Sequence, residues 1–505
     1  MGLQEKIQEL EEESRQLLKY FDVNPQGSMI LLTKSFSKKT FHLYRTIQPS
    51  IMKENFNAQW EAMIEKCFFA ACGNPRMSAT ERRRAWDQFR LKPENGGHGI
   101  AYYDDIAVAA FIASQVEFFE AAFGARGNLA AICGNLPNML LDLESNNPLI
   151  QIVQDACKFI EEIDPTKTIS VISQMKSSSS RSLQGQLTDI LSGQRLKTFI
   201  NKLESEREIA RLAWFMAQQN SDGNYWIDQI PKRGDQQTIM TKKEFNAAMC
   251  SKYFLQQPTI PTDRLCACGK RPDVYGQHLI GGCAYGGDRQ NTHDSIKFLV
   301  KSFLFWAGFF VTVEPRNMFD NNLRPDLRLN NPPPSVSREG RALAMDISVA
   351  SLLPGTSLGT IPREGSGATS ATMSLAQAKD VNRHLTKRVD EKNRKYHPST
   401  AAAGTEFLAL VFGTSGRMDK GLTDFIRKVS KVASEERQIP ADTLYRYWIR
   451  SISFRFQKEL AASIVRKSFR MRLGGLDHGG AQGNTFTNEY VLECERVVER
   501  VRGKD

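Results

Sequence analysis

Three cysteines and a histidine fall close together in CACGKRPDVYGQHLIGGC: Cys266, Cys268, His278 and Cys283. Three thiolates and one imidazole make a tetrahedral donor set for Zn²⁺. Cys-x-Cys followed by Gly269 can put two sulfurs on one ion from a tight turn, and Gly276, Gly281 and Gly282 leave the backbone free to wrap it. With all four positions filled by protein, no place remains for a reacting water, so this zinc would be structural. The plain alternative is three buried thiols and a surface histidine that share no ion.

Carboxylates follow. After His293 come Glu314 in VTVEPR, Asp326 in LRPDLRL and Asp346 in ALAMDISVA, each at or within a short β-type run. An unpaired carboxylate is costly to bury, and a shared Mg²⁺ or Mn²⁺ would remove that cost. Such an ion takes oxygen ligands and keeps waters, one of which can attack a phosphodiester. Arg324, or the basic helix after residue 378, could then meet the scissile phosphate. Otherwise the acids end strands at a solvated edge or pair with nearby arginines.

A third group, AYYDDIAV at 101–108, contains Tyr-x-Asp-Asp, the metal-binding pattern of a reverse transcriptase palm. Such a palm needs a β-hairpin there, whereas the residues after Asp105 are alanine-rich and helical in pattern. Asp104 and Asp105 are read as acids in a helix's first turn, where the dipole favours them.

The elements that must position these groups are legible in outline. At 505 residues the chain can form several domains, and 41% hydrophobic with 24% charged residues is a globular composition. Leu3, Ile7, Leu10, Leu17 and Leu18 open the chain at helical spacing, and helical patterns dominate to about residue 260. The run KSSSSRSLQGQ at 176–186 reads as a flexible connection and 353–372 as a long Gly/Ser/Thr/Pro loop. After residue 258 the texture changes: FFVTVEP, PDLRL, RALAMDISVA and EFLALVFG read as strands, with helices NTHDSIKFLVKSFLFWAG and LAQAKDVNRHLTKRVDEKNRKY between them. The expected fold is α+β and multidomain: a mainly helical region over 1–260, a zinc knuckle over 261–290, an α/β domain over 291–440 and a basic helical tail over 441–505.

A net charge of +11 and a pI near 9.1 favour an anionic partner, nucleic acid before a membrane surface. The tail segment 445–472 carries eight Lys/Arg against one Glu, with aromatic residues between them. Arg446, Arg450, Arg455, Lys467 and Arg470, with Arg324, are therefore candidates for phosphate contacts, and the aromatics for base stacking. The competing reading packs the aromatics on the core and leaves the basic face merely solvated. The most apolar run, 298–313, is interrupted by Lys301 and too short for a membrane span, and the N-terminus has no signal-peptide architecture. An intracellular chain is expected.

The order of these features resembles the region downstream of the polymerase in non-long-terminal-repeat retrotransposon proteins that carry a restriction-like endonuclease. Those proteins have a Cys-Cys-His-Cys knuckle, then Arg/Lys-Pro-Asp, then a further Asp in a strand; here these are Cys266, Cys268, His278 and Cys283, then Arg324-Pro325-Asp326, then Asp346. FHLYRTIQPS, LKPENGGHGIAYYDDIAVAAFIAS and YWIDQIP look like outer pieces of the same arrangement. The resemblance implies a PD-(D/E)XK-type nuclease domain, with Asp326 and Asp346 as metal ligands and Glu314 as a third acid. It also implies DNA, or RNA as well, as partner, structural Zn²⁺, catalytic Mg²⁺ or Mn²⁺, and a nuclear location. The chain departs from the pattern in two places. Ser348 stands where a lysine is expected two residues after the second acid, which a helix lysine such as Lys379, Lys392 or Lys395 would have to replace. No polymerase palm accompanies the region. The implied function is a metal-dependent DNA endonuclease within a retroelement-derived protein. Its alternative is a catalytically inactive, nucleic-acid-binding remnant of such a reading frame.

Overall fold

The computed structural model describes residues 2–123, 148–167, 182–219, 222–232, 234–283, 285, 287–316, 318–319, 323–353 and 373–473. Most of the expected 353–372 loop, residues 176–181 of the expected connection and the end of the tail lie outside them.

The first half is helical because its apolar residues recur at three and four. Helix α1 (Leu3–Val23) turns Ile7, Leu10, Leu17 and Phe21 inward. Next, α2 (Pro25–Lys34) starts at Pro25 behind an Asn24 cap, whose side chain accepts from the Gly27 N–H. Then α3 (Pro49–Met52) runs through a π-turn into α4 (Ala58–Ala71). A Ser78/Glu81 capping box opens α5 (Ala79–Arg90). Among the described residues, the α-helices that follow in this half are α6 (Tyr103–Phe123), α7 (Pro148–Ile163), α8 (Leu183–Ser205), α9 (Ile209–Gln218) and α10 (Lys242–Lys252).

Tyr-x-Asp-Asp opens α6, as expected. Tyr103 is wholly buried, Asp104 accepts from Asn57 Nδ2 at 2.7 Å, and Asp105 takes both Arg195 Nη2 at 2.6 Å and Nε at 2.9 Å. Both acids are committed to protein partners.

Beyond the knuckle, α11 (Asp288–Trp306) leads into β1 (Val311–Val313), followed by β2 (Leu327–Leu329) and β3 (Leu343–Ala350). Then come α12 (Leu375–Lys379), α13 (Arg383–Ala402), β4 (Glu406–Gly413), α14 (Lys420–Arg437) and α15 (Ala441–Arg472). All four strands fall inside the four β-type runs of the sequence. They form one sheet in the order β1-β2-β3-β4, antiparallel for the first two pairings and parallel for β3 with β4. Strand β3 is buried on both faces, because the main core covers one and α13 the other. Met345 and Ile347 point into the main core, while Ala344 and Ala350 lie in clusters with Tyr396 and Leu385 of α13. The protein is thus mostly helical with one small mixed sheet, the α+β class expected.

The boundaries drawn at 260, 290 and 440 do not divide the hydrophobic core: one continuous cluster runs from Ile7 to Met471. Helix α15 accounts for much of this continuity. It is 32 residues long and buries Tyr445, Trp448, Phe454 and Phe456, so these four aromatics of the expected basic tail are core residues, while Tyr447 and Phe469 are exposed. Phe303 of α11 stacks on Trp448 at 5.3 Å, and Phe412 of β4 on Phe456 at 4.9 Å. No helix among the described residues is long and apolar enough to cross a membrane.

Candidate functional site: a cysteine–histidine knuckle beside a carboxylate cleft

The knuckle is assembled by two tight turns. Gly269 has φ 79° and donates to the Cys266 carbonyl at 2.8 Å, which folds Cys266 and Cys268 back on each other. Asp273 organises the second turn, its carboxylate accepting from the N–H groups of Tyr275, Gln277 and His278 at 3.0, 3.0 and 2.6 Å. Cys266 Sγ lies 3.5 Å from Cys283 Sγ, and Cys268 Sγ lies 3.2 Å from His278 Nε2. All four donor atoms lie within 4.8 Å of one another, a spacing that could hold a metal such as zinc. Burial pushes the Cys266 thiol up to about 12. Burial also raises Cys268, but the Lys270 N–H and the neighbouring thiols outweigh it and bring that thiol below its ordinary value. His278 is pulled down by burial, which favours the neutral ring a metal requires.

The other end of the knuckle meets the sheet. Ile280 helps line a cleft of about 420 Å³ that also contains Arg289, His293, Glu314, Arg324, Asp326, Asp346, Ser348, Arg388 and Lys392. Asp326 immediately precedes β2, and its Oδ2 accepts from the Ile347 N–H of β3 at 2.6 Å, one residue beyond Asp346. The two aspartates, 20 positions apart in sequence, are brought together by the β2–β3 pairing.

Helix α13 supplies the opposite wall through residues four apart. Arg388 Nε donates to Ser348 Oγ at 2.6 Å, Lys392 Nζ lies 2.6 Å from Asp346 Oδ2, and Tyr396 Oη donates to Asp346 Oδ1 at 2.8 Å. Lys392 and Tyr396 thus each take one oxygen of the buried Asp346 carboxylate. Burial and the Asp346 charge push Tyr396 far above its ordinary pKa, so it remains a hydroxyl donor.

Of the three lysines the sequence offered in place of Ser348, only Lys392 lines this cleft. Lys379 pairs with Glu204 at 2.7 Å, and Lys395 is exposed with its Nζ 5.1 Å from the Tyr396 ring centroid. Glu314 lines the cleft but is not a third member of the Asp326–Asp346 pair. Its Oε1 is taken by Lys297 at 2.6 Å and its Oε2 by Arg324 at 3.1 Å. The Lys297 hydrogen bond holds its carboxyl below the usual range. Its backbone is left-handed (φ 46°) and held by the Glu314 N–H donating to the Asp326 carbonyl at 2.9 Å. Among the described residues, the Cys₃His set is the one group of three or more His, Cys, Asp or Glu donors within 4.8 Å of one another.

The basic residues of α15 divide. Arg446 is exposed, and Arg450 and Arg455 are half-buried, Arg455 donating to Ser295 Oγ at 3.3 Å. Lys467 is buried and points into the knuckle, donating to the Leu279 carbonyl at 2.7 Å and the Cys283 carbonyl at 3.4 Å. Arg470 binds Asp288 Oδ2 at 3.0 Å beside Arg466 on Oδ1 at 2.7 Å. Lys467 and Arg470 therefore tie α15 to the knuckle and to the start of α11. Sequence reasoning passed over Asp273, Lys297, Arg388 and Tyr396. Of these, Arg388 and Tyr396 carried a signal, the i, i+4 spacing that sets them on one helix face with Lys392.

Comparison with protein-family models and with curated proteins gave no match. What defines the molecule is its own geometry: an α+β chain with a Cys₃His cluster able to hold zinc, beside a polar cleft that holds two aspartates, one of them paired with a lysine.

Proposed function

We propose that the chain is a retroelement-derived nucleic-acid-binding protein whose α/β part is a metal-dependent, restriction-like DNA endonuclease, with the Cys₃His knuckle holding a structural zinc. The observation that supports this reading is the Lys392–Asp346 contact beside Asp326: a helix lysine reaches the second acid although Ser348 stands at the expected lysine position. Mg²⁺ or Mn²⁺ held by Asp326 and Asp346 would supply a Lewis acid and an acidified water for phosphodiester hydrolysis. Asp346 Oδ2 is paired with the Lys392 ammonium at 2.6 Å, so a bound cation would share that carboxylate with the lysine. Lys392 would hold positive charge where negative charge develops on the phosphate. Arg289, Arg324 and Arg388 line the same cleft and would draw the backbone in without reading its sequence.

Plasmid nicking in Mg²⁺ tests this reading. Wild type should convert supercoiled DNA to nicked circles, and Asp326→Ala, Asp346→Ala and Lys392→Ala should each lose about 100-fold or more of the rate. No nicking, or nicking unchanged in both aspartate variants, rejects the enzyme.

One observation favours the second reading, a silent nucleic-acid-binding remnant: Glu314 is spent on Lys297 and Arg324 and leaves the two aspartates without a third acid. That reading predicts salt-dependent DNA binding with no nicking in either Mg²⁺ or Mn²⁺.

A further inference from the structure

Helix α11 presents Gln290, His293, Asp294 and Lys297 at the spacing of one helical face. His293 Nε2 lies 2.9 Å from Asp326 Oδ2, and Nδ1 lies 3.1 Å from Asp294 Oδ1. The same Asp326 oxygen accepts from the Ile347 N–H at 2.6 Å. Contacts from two different elements, a helix and β3, thus converge on one oxygen and set the plane of the carboxylate. No donor among the described residues reaches Asp326 Oδ1. The ring is itself braced, because Asp294 Oδ1 is held by Gln290 Nε2 at 2.9 Å and Lys297 Nζ at 2.7 Å.

We propose that His293 is a positioning residue of this cleft: it holds Asp326 through Oδ2 so that Oδ1 is offered to a divalent cation shared with Asp346, while Asp294 fixes the ring. This role rests on the endonuclease reading of the same cleft. The physical reason is general: a metal-binding carboxylate free to rotate must lose that freedom on binding, whereas one already held binds more tightly.

The test uses the full chain, loaded with zinc beforehand, and Mn²⁺ as the probe, its binding followed by the electron paramagnetic resonance of the free ion. His293→Ala should weaken Mn²⁺ by about 10- to 100-fold and lower kcat for nicking in step, with KM for DNA unchanged. His293→Gln, whose amide can still donate to Asp326, should recover most of both, and Asp294→Ala should fall between. A merely structural histidine would lower thermal stability and leave Mn²⁺ affinity alone. Mn²⁺ binding that survives Asp326→Ala overturns the endonuclease reading and this role with it. Binding lost in Asp326→Ala but kept in His293→Ala overturns the role of His293 alone, as does a His293→Gln variant no better than His293→Ala.

Discussion

Lys252 is fully buried at the end of α10, and its ammonium faces neutral partners, Asn224 Oδ1 at 3.0 Å and Gln218 Oε1 at 3.4 Å. Burial brings its pKa from the ordinary 10.5 down to about 7. From about pH 7 to about pH 10 the unfolded chain therefore holds a proton that the folded chain does not, and stability from this group rises with pH through that window. Below pH 7 both states are protonated and the contribution is flat. The slope is at most about 1.4 kcal/mol per pH unit. Denaturant unfolding of wild type between pH 7 and 9.5 should show this rise, and Lys252→Met should flatten it. Equal slopes in the two proteins would contradict the assignment. Buried His98 and Tyr253 are the titratable neighbours: His98 is pulled down by burial and by Lys252, and Tyr253 is pushed up by burial, so neither changes charge from pH 7 to 9.5.

At the scale of elements, α15 decides how the knuckle and α11 sit. Asp288, the first residue of α11, has no exposed side-chain surface and receives Arg466 and Arg470 of α15 on its two oxygens. The two arginines keep about a third of their own surface, so water screens part of the attraction. Asp288→Ala removes the tie and sets two like charges side by side, at a cost of about 2–3 kcal/mol after that discount. The expected result is a lower unfolding midpoint in urea, together with faster hydrogen exchange in α11 and at 278–283. A midpoint within error of wild type would mean that α15 is held by its aromatic packing alone. The sequence marked α15 as a basic, aromatic helix and left two fates open for it. Burial of Trp448 and Phe456 chose the core, and the basic residues facing the knuckle followed.

At the scale of the whole molecule, the knuckle is a junction. Tyr275 stacks on Phe254 of the helical half at 4.4 Å and donates to Glu81 at 3.3 Å, while Lys467 and Ile280 join the knuckle to α15 and to the cleft. A metal there would hold both halves, so its removal should be felt at a distance. Elemental analysis should find zinc in wild type and none in a Cys266→Ser, Cys283→Ser double variant. Chelation should lower the melting temperature by about 5 °C or more and loosen α11, with α1–α4 little affected. Absence of zinc from the purified wild type would remove the metal from this account.

The sequence by itself determined the local structure: four strands at their short apolar runs, helices at their apolar spacing, and the start of α6 at Tyr-x-Asp-Asp. It also marked the Cys₃His cluster, because donor type and turn glycines are local properties, whereas the two aspartates meet only through the β2–β3 pairing. Which of three lysines reaches Asp346, whether Glu314 joins the acids, and whether Lys467 and Arg470 face solvent are relations between distant segments. Those depended on the register of β2 with β3, the helix face α13 turns to the sheet and the burial of α15. Each is a choice among alternatives of equal local merit, and only packing the whole core separates them.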